Sequence, residues 1–433
     1  MDGAFSLLRL ELRNHGLYRF AVKGHILAVA LLWSGVVFAA EEEEITAGSA
    51  QTSSSPVRIT GYVDVGVSKA LNNGKGFIFD TSGRYSSRFP GTAWVLLGDP
   101  WSTAVNSRGE PADTDGSFAF MHNPVASNGA LTFLINELNL DFSATPWPSV
   151  FLFASLDFMP RTGVRGSLGD FFELDFAYAE WTPFDSIDLT ISIGKIDPVF
   201  GREYRMRESP DRNGIVPSLL FRYVGGQPLG IKARAKFFDG RLVIAAAALN
   251  GSSFIETMNF SDDVDRNDVK TGSGRVSFDI PLWTGAHLDV GLSGEFGVQG
   301  RQTDGSIPQW QWGFDAFFEW KRIELRGEFV RGIAAGGGVD DADGLDFRAW
   351  FIEAFVRVFP WAGLLARYEQ RHAVHLKGLE FVYLINVHRV VAGLRIDPFA
   401  NVAIKLEYVG NFELDPLPQF PNDVFTSSLV ISF

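Results

Sequence analysis

The amino-acid sequence predicts an all-β fold, a transmembrane antiparallel β-barrel of about 16 strands, with about 18 as the alternative count. Three observations lead to this fold class. Apolar and polar residues alternate with a period of two from Val57 onward, short turns alternate with long polar loops, and the last strand ends on Phe433. The composition agrees, because 46 % of the 433 residues are hydrophobic and 39 are Phe, an amount of apolar surface that many short segments must share.

The alternation is clearest in two neighbouring segments. In residues 310–320 all even positions are apolar, and the odd positions include Asp315 and Glu319. In residues 323–330 the odd positions are Ile, Leu, Gly and Phe, and the even positions are mostly charged. A soluble sandwich buries such an apolar face against a second sheet, whereas a membrane barrel turns it toward lipid and keeps the polar face for a wet lumen.

The spacing of turns and loops favours the barrel. Four of the predicted short turns carry Pro followed by an aromatic residue, at 146–147, 183–184, 360–361 and 398–399, and the loops between hairpins are long and rich in Gly, Asp, Asn and Ser. Short turns at one rim and long loops at the other are typical of outer-membrane barrels. The predicted strands are 57–68, 131–144, 149–159, 171–182, 187–196, 229–238, 241–250, 272–280, 286–299, 309–320, 322–333, 346–359, 363–371, 380–396, 401–411 and 423–433.

The first long loop leaves the strand count open. Residues 69–130 contain two short apolar runs, at 94–97 and 118–120. These form either a hairpin inside the loop, which would plug the barrel, or two more wall strands, which would raise the count to about 18. Barrels of 16–18 strands enclose an aqueous channel, so the length favours a pore over a small barrel filled with side chains.

The N-terminus has the order of a secretory leader. Four basic residues precede an apolar stretch at 26–38, and Ala39 and Ala40 follow it. We therefore expect residues 1–40 to be a cleaved signal peptide, residues 41–56 to be a short acidic and Ser-rich periplasmic segment, and residues 57–433 to be the barrel. The apolar stretch is short for a membrane-spanning helix, which needs about 20 residues.

Charge and cysteine content exclude several classes of function. The leader carries four basic and two acidic residues, so its removal takes the net charge from −13 to −15. Such an acidic chain is not expected to bind nucleic acid, which calls for a basic patch. With no cysteine, the chain has neither thiol catalysis nor Cys–metal sites. The expected partners are outer-membrane lipid and lipopolysaccharide, together with the outer-membrane assembly machinery, for which the aromatic Phe433 would be the signal.

The third long loop, residues 197–228, holds the candidate pore constriction. It contains five arginines in an otherwise acidic protein. Guanidinium groups stay charged, and folded inward they would attract anions at a narrowing. The alternative is an outward loop whose arginines pair with nearby carboxylates or with lipopolysaccharide phosphates. The predicted constriction residues are Arg202, Arg205, Arg207, Arg212 and Arg222.

Strand parity predicts a lumen lined by charges of both signs. A basic ladder follows the third loop, and acidic residues dominate the later strands, so that opposed ladders would set a transverse field across the pore. Pairing of these charges along the wall is the alternative. The predicted lining residues are Lys232, Arg234, Lys236, Asp315, Glu319, Glu324, Arg326 and Glu328.

Metal, cofactor and catalytic signals are weak. Acidic loops at 262–268 and 340–346 offer oxygen ligands for calcium but lack EF-hand spacing. His372 and His375 have no third ligand at zinc spacing. No nucleophile elbow is present, although a spatial triad leaves no local trace. We therefore expect no metal site, no cofactor and no catalytic residues, with a barrel enzyme as a minor alternative.

Several segments resemble the phosphate-selective porin O/P family of outer-membrane porins. These are the strand end Gly-Lys-Ile-Asp-Pro-Val-Phe-Gly-Arg-Glu at 194–203, the segments Gly-Ile-Lys at 230–232 and Phe-Asp-Gly-Arg-Leu at 238–242, and the turn and strand at 397–408. The resemblance implies a 16-stranded, usually trimeric barrel with its third loop inside the pore. The phosphate-specific members are Lys-rich in the channel and this chain is acidic, so the resemblance does not extend to phosphate.

The combined prediction is a passive diffusion porin for small hydrophilic or ionic solutes, located in the outer membrane and forming a homotrimer. A plugged structural or adhesion barrel is the alternative of a different class.

Overall fold

In a computed structural model of the protein, sixteen antiparallel strands among the described residues form one closed barrel. The structure describes residues 57–70, 131–158, 172–184, 186–250, 269–299, 307–335, 344–375, 387–413 and 423–433. The strands are β1 Arg58–Ala70, β2 Thr132–Trp147, β3 Val150–Phe158, β4 Phe172–Trp181, β5 Leu189–Lys195, β6 Leu229–Phe237, β7 Leu242–Leu249, β8 Thr271–Trp283, β9 Ala286–Gln299, β10 Ile307–Trp320, β11 Ile323–Ala335, β12 Gly344–Phe359, β13 Ala362–His375, β14 Val387–Phe399, β15 Val402–Glu413 and β16 Val424–Ser432.

Each strand pairs with its two neighbours in sequence, and β1 closes the ring against β16. Closure removes both sheet edges, so every strand finds backbone partners on both sides. Because β1 also pairs directly with β2, from Arg58 opposite Ser143 to Ser68 opposite Thr132, the ring has no position for two further strands between them. The predicted count of sixteen is therefore confirmed.

The predicted alternation becomes two faces of the wall. On β10 and β11 the apolar positions Phe314 and Leu325 are exposed on the outside, whereas Asp315 and Glu328 are buried on the inside. Asp315 and Glu328 are cross-strand partners, as are Phe314 and Phe329. This arrangement turns a band of large apolar side chains outward, as a lipid-facing barrel requires.

The short turns and both ends of the described chain lie at one rim. Two-residue turns join β2 to β3, β8 to β9, β10 to β11 and β12 to β13. Register shifts occur beside Pro146, Pro281 and Pro398, near the ends of their strands. Proline lacks the N–H that a regular ladder needs, so a bulge at the strand end accommodates it. At the same rim, Phe433 and Gly61 exchange backbone hydrogen bonds of 2.9 and 3.1 Å.

The third long loop has a backbone that is described throughout. The third loop, residues 196–228 between β5 and β6, contains the 3-10 helices Glu203–Met206, Ser209–Asp211 and Phe221–Tyr223. Most of its residues are buried, and they contact side chains on the inner face of the wall. The loop therefore folds into the barrel.

Several sequence predictions fall outside the described residues. These are the signal peptide at 1–40, the periplasmic segment at 41–56, the region 71–130, and most of the acidic loops considered for calcium. Within the described part of the chain, no helix is long and apolar enough to cross a membrane.

Replacing Phe314 by arginine would test the orientation of the wall. The charge would face lipid near the middle of β10, where arginine costs about 2–4 kcal/mol of folding free energy. Urea titration of the barrel refolded into lipid vesicles measures this loss. The control is Thr60→Arg, which faces the lumen opposite Asp141 and is expected to cost less than about 1 kcal/mol. Equal losses for the two variants would contradict the assigned faces.

Candidate functional site

The base of the third loop is fixed where it leaves and rejoins the wall. The backbone N–H of Ile196 donates to the carbonyl of Pro228 over 3.0 Å. Gly201 then turns the chain with a φ of 77°, a left-handed conformation that glycine adopts at little cost. Glu328 and Val224 occupy the space where a side chain at position 201 would lie. Glycine is therefore required here, because the loop passes so close to the wall.

Two apolar clusters hold the loop against one side of the barrel. Tyr223 stacks on Phe347 of β12, with ring centroids 3.9 Å apart and an interplanar angle of 5°. The first cluster joins Phe200, Leu220, Phe221, Tyr223 and Val224 to inner-wall residues of β11 and β12. The second joins Ile215 and Val216 to Phe355, Leu365, Val391, Val409 and Val424. Each fully buried large side chain contributes about 1.5–3 kcal/mol, so the wall from β11 to β16 provides a core for the loop.

Wall carboxylates accept hydrogen bonds from the loop backbone. Glu328 accepts from the N–H groups of Arg202 and Glu203 at 3.1 and 2.9 Å. Glu407 accepts from those of Ile215 and Val216 at 2.6 and 3.2 Å. These backbone groups lie outside regular secondary structure, and burying them without a partner would cost free energy. The inner-wall acids thus satisfy donors that the irregular loop cannot pair internally.

Wall cations do the same for the carbonyl groups. Arg367 donates to the carbonyls of Val216 and Pro217 at 2.6 and 3.2 Å, and its guanidinium also pairs with Glu353 at 3.1 Å. Lys405 donates to the carbonyl of Gly214 at 3.1 Å. Acidic and basic side chains of the wall therefore pair with each other and also bind the loop. A buried charge without such partners would cost free energy.

The middle of the loop also contacts strands beyond the β1–β16 junction. Ser209 donates through its hydroxyl to Asp64 of β1 over 2.6 Å. The Tyr62 hydroxyl lies between a carboxylate oxygen of Glu208 in the loop and one of Glu137 on β2, and it can donate its single proton to either. Arg207 pairs with Asp175 of β4 at 3.4 Å. The contacts of the loop therefore continue round the inner wall from β9–β16 to β1, β2 and β4.

Parts of the inner wall on β3, β4, β6 and β7 remain partly open. Along β6 and β7 the inward residues Lys232, Arg234, Lys236, Ala245 and Ala247 are partly exposed. On β13, by contrast, the inward residues Arg367, Glu369 and Arg371 are 5 %, 0 % and 2 % exposed. The loop covers one side of the lumen and leaves the basic ladder accessible on the other.

The predicted arginines of the loop differ in their contacts and in their exposure to solvent. Arg202 pairs with Asp289 and lies 4.6 Å from the centroid of the Phe317 ring. Arg205 is exposed and lies beside Tyr204, with its Nε 3.5 Å from the Tyr204 hydroxyl. Arg207 and Arg212 are 2 % and 5 % exposed and act inside the loop. The side chain of Arg222 falls outside the description. Arg202 and Arg205 are the two that combine a described side chain with access to solvent.

The loop environment perturbs the pKa of several of its ionisable groups. Burial lowers the pKa of Arg202, against the attraction of Asp289, while the interaction with Tyr204 raises the pKa of Arg205. Burial raises the pKa of Glu203 to about 7, although Arg367 and the hydrogen bonds from Ser218 favour the ionised form. Glu203 accepts from the N–H of Ser218 at 2.8 Å and from its hydroxyl at 2.5 Å.

Some of the predicted lining residues lie on the open wall, and others are buried beneath the loop. Lys232 pairs with Asp197 at 3.8 Å and Lys236 with Asp188 at 3.1 Å, whereas Arg234 makes no ion pair with any described residue. Asp315 pairs with Arg275 at 2.5 Å, and Arg326 with Glu353 at 3.0 Å. These two pairs and Glu328 are buried beneath the loop. Glu319 is exposed near the short-turn rim, and Glu324 accepts from Asn213 over 2.9 Å.

Sequence reasoning did not identify the groups that anchor the loop. Glu369, Arg367 and Glu407 follow the same parity as lining residues, and no local pattern distinguishes them. It also missed a group of three carboxylates, Glu137, Asp157 and Glu208, whose oxygens lie within 4.8 Å of one another around the Tyr62 hydroxyl. Two strands and the third loop supply these three, so they have no motif spacing.

No protein-family model matches the chain, and no curated protein matches it. Solved structures do. The outer membrane channel DcaP of Acinetobacter baumannii is 11 % identical with a TM-score of 0.52, covering 87 % of this chain and 97 % of that one. The fold is that of the outer-membrane porins. An anion-selective porin from Comamonas acidovorans is 12 % identical (87 % and 99 % covered, TM-score 0.51), and Pseudomonas putida OprB is 10 % identical (87 % and 94 %, TM-score 0.51).

The packing of the third loop should depend on pH through Glu203. Because the pKa of the packed carboxyl is raised from 4.5 to about 7, the stability it contributes is fully present below pH 4.5 and is lost as the pH rises through 7. Amide exchange in residues 201–218, corrected for intrinsic rates, should therefore be faster at pH 8 than at pH 6, by about tenfold.

In the Glu203→Gln variant, residue 203 is neutral at both pH 6 and pH 8, so amide exchange should show little of this difference. Glu319→Gln on the exposed rim serves as the matched control and should keep the wild-type dependence. Identical pH profiles for wild type and Glu203→Gln would contradict the assignment.

Proposed function

We propose that this protein is an outer-membrane porin through which small hydrophilic or ionic solutes diffuse passively. One observation carries the proposal: the third loop packs against β9–β16 and reaches β1, β2 and β4, while polar side chains on the inner faces of β4 and β6 stay partly exposed, among them Glu180 and the ladder of Lys232, Arg234 and Lys236. Water and solutes would pass between the loop and this open wall. The outward apolar band and the fold shared with solved outer-membrane porins support the location.

We propose that only some of the loop arginines form the constriction. Arg202 and Arg205 on the loop would face the ladder of Lys232, Arg234 and Lys236 on β6. Arg207 and Arg212 are buried in ion-pair and carbonyl contacts, so their role is to shape the loop. Rings of fixed charge select ions at such a narrowing. The exposed Arg205 and the unpaired Arg234 would therefore favour the entry of anionic groups.

We also propose a porin family for this protein. The motif at 194–203, which resembles the porin O/P family, forms the end of β5 and the start of the loop that enters the barrel. This supports membership of that family without phosphate selectivity. We further propose a homotrimer, contact with lipopolysaccharide, and recognition of Phe433 by the assembly machinery.

The alternative classes have less support among the described residues. A plugged structural or adhesion barrel would cover the basic ladder, and Lys232, Arg234 and Lys236 are partly exposed. A barrel enzyme would need a nucleophile with a base beside it. Two of the solved structures reported above are described as a channel and a porin.

Conductance across planar bilayers tests the function. The purified protein should form open channels in KCl, and the reversal potential in a salt gradient gives the ratio of anion to cation permeability. Absence of conductance by a folded, inserted barrel would refute the proposal.

The Arg205→Ala variant tests the constriction. Loss of this exposed charge should lower the anion-to-cation permeability ratio about twofold or more, because fixed charges focus counter-ions in a narrow pore. The matched control is Arg331→Ala, which removes one exposed arginine, near Asp346, from the outer face of β11. An unchanged ratio in Arg205→Ala, or an equal change in Arg331→Ala, would exclude Arg205 from the narrowing.

A further inference from the structure

The open side of the lumen contains a patch of aromatic rings that the porin function does not require. Along β3, Leu152 and Leu156 are exposed outward and Ser155 and Asp157 are buried inside. Phe151 and Phe153 share the parity of these inward residues. A wet channel wall is normally polar, so two partly exposed phenylalanines on its inner face call for an explanation.

The neighbouring strand extends this aromatic patch. The Phe153 ring lies 5.4 Å from the Tyr178 ring and 6.3 Å from the Phe176 ring, both on β4. Phe151 stacks beside Phe153 with centroids 6.3 Å apart and an interplanar angle of 18°. Phe176 is also covered by the guanidinium of Arg207, at 5.7 Å, which confirms that it points inward. Phe151, Phe153 and Tyr178 form the part of the patch that stays partly exposed.

One unpaired charge of each sign borders this patch. Glu180 is the cross-strand partner of Phe151 and accepts only from the Ser192 hydroxyl, over 3.2 Å. Arg234 stands on β6, two strands and about 10 Å from β4. The Tyr178 hydroxyl lies within electrostatic reach of both Glu180 and Arg234. Neither group forms an ion pair among the described residues, whereas the nearby Lys232 and Lys236 are each bound to an aspartate.

We infer that this face of the channel binds zwitterionic solutes with an aromatic ring, of which aromatic α-amino acids are the simplest class. The ring would pack on Phe151, Phe153 and Tyr178. The ammonium group would bind Glu180 and the carboxylate would bind Arg234. Each of these contacts replaces water around a solute group with a complementary protein group. Stacking also gives a preference for aromatic solutes, which a pore lined only by charges lacks. The inference rests on the proposed porin function and names a solute class for it.

Three probes separate the parts of the site. L-Phenylalanine carries ring, ammonium and carboxylate, L-alanine lacks the ring, and benzoate lacks the ammonium. Binding is measured by saturation-transfer NMR on the refolded barrel, and independently by the solute concentration that half-blocks single-channel KCl current. Phenylalanine should bind more tightly than either of the others, by about 2- to 10-fold for the ring contact alone.

Variants assign the contacts. Phe151→Leu with Phe153→Leu should weaken phenylalanine binding by about 2- to 10-fold and leave alanine unchanged. Glu180→Gln should weaken phenylalanine binding and not that of benzoate, and Arg234→Met should weaken both. The matched control is Phe278→Leu on the outer face of β8, which should change nothing.

Two results would overturn the inference: phenylalanine binding no more tightly than alanine, or the double leucine variant binding phenylalanine as the wild type does. A barrel that binds phenylalanine in the NMR experiment but conducts no KCl would refute the porin and leave the site. A barrel that conducts but shows no preference among the probes would refute the site and leave the porin.

Discussion

The packing of the third loop depends on buried charges of the wall that hydrogen-bond to its irregular backbone. Glu328, Glu369 and Glu407 accept from backbone N–H groups, and Arg367 and Lys405 donate to carbonyls. A closed barrel satisfies its own strands completely and offers no free backbone groups to a segment inside it. Side chains must therefore supply every partner that the loop lacks, and the inner wall is highly charged where the loop lies.

This constraint explains the asymmetry of the lumen. The half of the wall beneath the loop carries paired acids and bases together with an apolar core around Phe347 and Phe355. The opposite part, from β3 to β7, carries small residues, the basic ladder and the rings of Phe151 and Phe153. A wall residue that binds the loop cannot also contact solutes. Residues that hold the loop and residues that select solutes therefore lie on different parts of the wall.

The same separation distinguishes residues of one type within the loop. Arg207 and Arg212 are buried because their donors complete contacts with Asp175 and with the carbonyl of Arg207. Arg205, whose side chain has Tyr204 as its one hydrogen-bond partner among the described residues, stays exposed. Arginines that look equivalent in the sequence thus take different physical roles, according to which residues lie beside each of the described side chains.

The sequence by itself determined the wall. Alternation with a period of two, proline beside the short turns and the strand ending on Phe433 are local properties, and they sufficed for a sixteen-strand barrel with its apolar face outward. Only the tertiary structure decided which inward charges support the loop and which face the channel. Parity assigns Asp315 and Arg234 to the same face, yet one lies beneath the loop and the other beside the open lumen. That difference depends on where residues 196–228 cross the barrel, and this path is set by contacts with strands up to about two hundred residues away in sequence, which no local pattern encodes.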